Sequence, residues 1–180
     1  MPPARPSRWR ASAESLAEIR EVSPGGERRK GREHALQILY QMDLSPSPID
    51  ECLEGFWGGR QSRAGMKAFA EKLVRGVMER REWLDGVLGG ISHHWRLPRM
   101  AVVDRNVLRL ALFEMIFEPA TPRIVVINEA IDIAKKFGDD ESGPFINGIL
   151  DAVRLRLERN EIPRPDDESG GSEPPLRSSA

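Results

Sequence analysis

Between residues 28 and 160 apolar side chains recur three or four positions apart almost without a break, and no stretch alternates apolar and polar residues long enough for a half-buried strand. The pattern predicts an all-α fold of six or seven helices. In residues 31–44, Ala35, Leu39 and Met42 share one helical face, Leu36 and Tyr40 widen it, and Ser45-Pro46-Ser47-Pro48 ends it. Residues 49–57 predict a short second helix, followed by a polar loop from Gly58-Gly59 to Gly65. Phe69, Leu73, Val77, Leu84, Leu88 and Ile91 then lie three, four or seven apart, with Gly76, Gly86, Gly89 and Gly90 placing a break or bend among them. Two helices or one bent helix fit this length.

Pro98 marks the next boundary. Beyond it Val103, Val107, Leu110 and Phe117 define a face that Leu108, Leu112 and Met115 broaden, so this helix is predicted to be central and buried on several sides. Glu118-Pro119 ends it. Thr121-Pro122 predicts a capped start for the next helix, favouring helix over strand for Ile124-Val125-Val126-Ile127, and Gly138 predicts a left-handed terminator after Lys135 and Lys136 in the last turn. A final helix opens at Ser142 or Gly143, carries Pro144 in its first turn, and buries Ile146, Ile149, Leu150, Val153 and Leu157.

The ends of the chain have a different composition. Residues 1–27 mix Pro, Arg, Ser and Gly around a short apolar stretch, Leu16 to Val22, and are expected to be an extension that is largely disordered or at most a marginal helix. Residues 161–180, rich in Pro, Ser, Gly and acidic side chains, are expected to be a disordered tail, which leaves 28–160 as the helical domain. The longest aliphatic run is far shorter than the ~20 residues that cross a bilayer, and the N-terminus lacks the apolar segment of a signal peptide, so a cytoplasmic protein is expected. Cys52, the single cysteine, allows neither an internal disulfide nor a thiolate cluster for zinc.

The formal net charge is −1, so any attraction for nucleic acid must be local. It is concentrated in Arg28, Arg29, Lys30 and Arg32, at the start of the predicted first helix, where positive charge opposes the helix dipole and so does not serve helix stability. By residue type alone, a solvated charged segment and an RNA contact are equally good readings of this cluster. An enzyme is not expected: no nucleophile with a base, no metal cluster and no phosphate-binding glycine loop stands out. His93-His94 lacks the spacing of a metal motif, because adjacent helical side chains point about 100° apart. No cofactor and no metal are expected.

Three stretches, in order, resemble the NusB family. They are Arg28-Arg29-Lys30-x-Arg32 with Ala35 to Leu44; Val103-Asp104-Arg105-Asn106-Val107-Leu108-Arg109-Leu110-Ala111-Leu112-Phe113-Glu114; and Ile127-Asn128-Glu129-Ala130-Ile131-Asp132-Ile133-Ala134-Lys135-Lys136-Phe137-Gly138 followed by Phe145-Ile146-Asn147-Gly148-Ile149-Leu150-Asp151. The resemblance implies two packed helical bundles in one compact domain. It also implies a non-enzymatic transcription antitermination factor that binds boxA-type single-stranded RNA of ribosomal RNA operons together with NusE, a small-subunit ribosomal protein, within an RNA polymerase antitermination complex. RNA contacts are then expected at Arg28, Arg29, Lys30, Arg32, Glu141 and Phe145, and partner contacts at Tyr40, Leu44 and Asp104. Pro144 stands where many relatives carry a basic residue. Without the resemblance, Phe145, Tyr40 and Leu44 read more readily as packed side chains, Asp104 equally as an ion-pair partner of Arg105 or Arg109, and Asn128, Glu129 and Asn147 as structural polar groups. Two other readings are a helical scaffold that binds only protein, and a domain related to the RNA-binding part of some ribosomal RNA cytosine methyltransferases.

Overall fold

The structure, a computed structural model, describes residues 24–92 and 96–165. The stretch Leu16 to Val22, the pair His93-His94 and the tail from residue 166 onward lie outside the described residues. Among those described, the chain forms seven α-helices, one 3-10 turn at Leu97–Arg99 and no strand. The helices are α1 (Pro24–Leu44), α2 (Ile49–Trp57), α3 (Ala64–Glu79), α4 (Arg81–Ile91), α5 (Val102–Phe117), α6 (Arg123–Phe137) and α7 (Ser142–Glu158). None of them is long and apolar enough to cross a membrane.

α1 begins earlier than its apolar face suggests. Pro24 occupies the first helical position, where its missing N–H costs nothing, and Glu27 sits in the first turn, favourably placed at the positive end of the dipole. Pro24-Gly25-Gly26 therefore opens the helix within the stretch 1–27 expected to be an extension, and the basic cluster lies beyond the first turn, where the dipole weakens. Ala35, Leu36, Ile38, Leu39 and Met42 are buried along the same helix. They pack against α2 and α3. There Phe56 and Trp57 meet edge to face with ring centroids 4.9 Å apart.

α5 runs through the centre, touching α1, α3, α4, α6 and α7, and each of its residues from Asn106 to Ile116 is buried. A helix apolar almost all round has to be enclosed in this way. Its Phe113 ring lies against Gly76 of α3, so close that even one added methyl would collide with it. Gly76 thus serves packing of α3 against α5, and the break expected within residues 66–91 falls at Arg80, giving two helices. Side chains on either side hold it there: the Arg80 guanidinium lies 4.7 Å from the Phe117 ring centre and Trp83 meets the same ring edge-on at 6.1 Å.

Two expected helix-end devices are replaced by others. Pro122, not Thr121, is the N-cap of α6, and no side chain caps that helix; the Thr121 N–H instead closes a turn onto the Glu118 carbonyl at 3.1 Å. Gly138 has φ −95° and ψ −156°, an extended conformation, and is required by the close approach of the Ser142 hydroxyl where a Cβ would lie.

Charged side chains tie α1 to α4 and α5. Asp43, in the last turn of α1, receives Arg81 at 2.9 Å, Asn106 at 3.0 Å and Arg105 at 3.1 Å, with Arg109 at 3.4 Å. Burial by itself would raise the Asp43 carboxyl, but the donors Asn106 and Arg105 and the charges of Arg81 and Arg109 outweigh it and hold it below the usual carboxylate value. Arg105 and Arg109 are therefore engaged with Asp43, and Arg109 also grips Asp85 through two bonds of 2.7 Å. Asp104 is not their partner.

Candidate nucleic-acid interface

The four basic residues of α1 do not form one patch, because the helix fans them out at about 100° per residue. Arg28 is exposed and lies over the Phe69 ring at 4.7 Å. Lys30 is exposed on the wall of a cleft formed with Gln61, Ser62 and Arg63 of the loop before α3 and with His34 of α1. Arg29 turns toward α6, donating from Nε and Nη2 to the Glu129 carboxylate at 2.9 and 2.6 Å and from Nη2 to Asp132 at 2.8 Å. The Arg29 hydrogen bonds to Glu129 raise its already high pKa and, despite burial, hold the Glu129 carboxyl below the usual range.

Arg32 has to be corrected. It is only 6% exposed, and its guanidinium donates to both oxygens of Glu114, which is 2% exposed, at 2.8 and 2.5 Å. A planar fork matched to a buried carboxylate is a structural bridge between α1 and α5, with no face left to offer to RNA. Nothing in the local sequence distinguishes Arg32 from its neighbours except the spacing: it sits four residues after Arg28 and three before Ala35, on the edge of the apolar face.

Glu141 and Phe145 come together at the start of α7, in a cleft of about 680 Å³ that also includes Arg99, Met100, Asp104 and Pro144. The turn is shaped by Asp139, whose Oδ1 accepts the Glu141 N–H at 2.9 Å and the Ser142 N–H at 3.0 Å, satisfying amides that the helix start leaves without partners. Glu141 is exposed and makes no side-chain cap; Phe145 is half-buried against the core. Asp104, expected on the partner surface, lines this same cleft. It is 8% exposed and its Oδ1 has no hydrogen-bond partner. Burial lifts its carboxyl above the usual value, the Ser142 hydroxyl offsets this in part, and the charge of Asp139 adds to it.

Tyr40 and Leu44 are the exposed apolar residues of α1, at 39% and 63%, one turn apart. Their exposure marks this face as available, whereas spacing alone reads them as core. Asn128 and Asn147 are exposed, while Glu129 bridges the bundles through Arg29 and Arg32. Sequence reasoning missed Asp132, which holds Arg29, and Lys136, which pairs with Glu33 at 2.8 Å. Opposite charges on separate helices give no local signal of pairing. Among the described residues no group of His, Cys, Asp and Glu is arranged to hold a metal ion.

Comparison with known proteins gives one consistent result. The model of the NusB family matches residues 29–154. A transcription antitermination protein NusB from Myxococcus xanthus is 44% identical over 138 residues, covering 74% of this chain and 99% of that protein. One from Anaeromyxobacter dehalogenans is 48% identical over 131 residues, covering 72% and 92%. Among solved structures, T. maritima NusB matches with a TM-score of 0.66 and 35% identity, covering 78% of this chain and 96% of that one. A structure of antitermination factors NusB and NusE in complex with dsRNA matches with a TM-score of 0.64 and 28% identity, covering 72% and 96%.

Proposed function

This chain belongs to the NusB family, and from that membership we propose that it is a non-enzymatic transcription antitermination factor that binds RNA together with NusE in the cytoplasm. The RNA is a boxA-type single-stranded segment of ribosomal RNA operon transcripts, and the pair joins an RNA polymerase antitermination complex. One observation carries the two-partner reading: a single helix, α1, presents exposed cations in its N-terminal half and the exposed Tyr40–Leu44 pair in its C-terminal half. Arg28, Arg29 and Lys30 meet phosphates and unstacked bases, which suits single-stranded RNA better than a duplex whose major groove side chains cannot enter. Arg32 supports them from within. Tyr40 and Leu44 form the partner surface, and the Asp43 hub fixes the turn of α1 between them. Residues 28–160 are the functional domain.

A protein-only scaffold is the competing reading, favoured by the fact that two of the four basic residues are already held by carboxylates. Fluorescence anisotropy of a labelled boxA-like RNA against a scrambled control, with and without NusE and at two salt concentrations, separates the two. Selective binding that tightens with NusE and weakens with salt supports the antitermination reading. NusE binding with no RNA binding under any condition overturns it in favour of the scaffold.

A further inference from the structure

Five charged side chains bridge α1, α5 and α6: Arg29 and Arg32 face Glu114, Glu129 and Asp132. Two cations against three anions leave this group with a surplus negative charge. Glu114 is buried and taken by Arg32, and Glu129, with 16% of its side chain exposed, is shared between the two arginines. Asp132 is placed differently. Its side chain is 52% exposed, and among the described residues it meets Arg29 alone, through the Nη2 that also donates to Glu129. The nearest cation along its own helix, Lys136, is engaged with Glu33. Glu129 by itself already fixes the Arg29 guanidinium, with bonds from Nε and Nη2 at 2.9 and 2.6 Å, so Asp132 is the anion that this arrangement does not require.

We propose that Asp132 is a brake on sequence-independent RNA binding, acting by competition with backbone phosphates for Arg29. The inference rests on the RNA-binding reading above and adds to it a residue that acts through another. A phosphate that reaches Nη2 displaces Asp132 and then lies beside a carboxylate that has lost its only cation, so repulsion offsets much of the attraction. Counterions follow the same exchange. The phosphate gives up its condensed cation while the freed Asp132 attracts one, and the contact adds little to the net release that drives binding. Arg28 and Lys30 have no ion-pair partner among the described residues, so their phosphate contacts carry no such penalty. Phosphate contacts carry no sequence information, and weakening one of them lowers affinity for every RNA alike. The consequence is lower occupancy by RNA that lacks the recognised sequence.

The test titrates the full chain against boxA-like RNA and its scrambled control over a range of salt, following anisotropy. Asp132→Asn keeps the shape of the side chain and removes its charge. It is expected to bind both RNAs about fivefold more tightly at low salt. The slope of log affinity against log salt is expected to steepen by ~0.7, the value of one single-strand phosphate contact. In Arg29→Ala/Asp132→Asn both gains disappear, and unfolding midpoints confirm that each variant is folded. Asp151→Asn, which removes an exposed carboxylate paired with Arg154 on α7, is the control for net charge and leaves affinity and slope unchanged. Unchanged or weaker binding by Asp132→Asn overturns the inference, as does an equal gain from Asp151→Asn. A gain that persists without Arg29 overturns the route through that residue, and a gain confined to boxA-like RNA overturns the phosphate competition. Each of these leaves the RNA reading intact, whereas absence of RNA binding by every form of the protein overturns both.

Discussion

Asp43 and Asp104 are both carboxylates withdrawn from water, the first with 6% of its side chain exposed and the second with 8% of the residue. Asp43 is met by Arg81, Arg105, Asn106 and Arg109; Asp104 keeps an oxygen that no donor reaches. The same contrast separates Arg32, locked onto Glu114, from Lys30, which has no ion-pair partner among the described residues. Where the protein completes a charge internally, the group holds the two bundles together. Where it leaves a charge exposed and unpaired, as at Lys30, the group is available to a ligand. The division follows from electrostatics: a buried charge without partners costs several kcal/mol, so one that persists calls for a use.

The largest expected effect breaks the completed side. Asp43→Ala leaves Arg105 and Arg109 facing each other without their shared anion and is expected to lower stability by about 3–5 kcal/mol in urea unfolding. A loss under ~1 kcal/mol would show that the hub is dispensable. Arg32→Ala strands Glu114 at 2% exposure and is expected to cost a similar ~3–5 kcal/mol. Arg29→Ala, on a side chain 44% exposed, is expected to cost no more than ~1 kcal/mol of stability in the same assay. Equal losses for the two arginines would remove the distinction between bridge and contact.

The smallest effect lies in pH. The Asp43 carboxyl is lowered on folding, so its contribution is present above the ordinary aspartate value and is lost as pH falls through that value toward the folded one. Asp104 is raised, so it opposes folding once ionised; that cost grows as pH rises through its folded pKa and is relieved below the ordinary value. Urea midpoints between about pH 3 and 7 should therefore show Asp104→Asn flattening the fall on the upper side of the ordinary aspartate value. Asp43→Asn should flatten the fall below it. Unchanged profiles would mean that neither carboxyl is perturbed by its surroundings.

Much of the fold was legible because its signals are local. The bounds of α2 follow from Pro48 before it and Gly58 after it, and the central position of α5 follows from apolar residues on every side. Local signals failed where distant groups decide. Gly76 and Gly138 are explained by the approach of Phe113 and Ser142, not by backbone freedom, and the bend at Arg80 depends on Phe117 from another helix. The candidate site shows the same limit. The cluster from Arg28 to Arg32 was visible as charge, but its division into bridge and contact is made by Glu114, Glu129 and Asp132, about 80 to 100 residues away in sequence. The meeting of Asp104 with Glu141 and Phe145 depends on how α5 packs against α7, which no motif encodes.

The most direct measurement is the salt dependence of RNA affinity for wild type, Arg28→Ala/Lys30→Ala and Asp104→Asn, with unfolding midpoints measured alongside. The double variant is expected to unfold like wild type while the slope of log affinity against log salt falls by about 1.4, or ~0.7 for each lost single-strand phosphate contact. Asp104→Asn should leave that slope unchanged. A double variant with wild-type affinity and slope would contradict the assignment of these exposed cations to RNA.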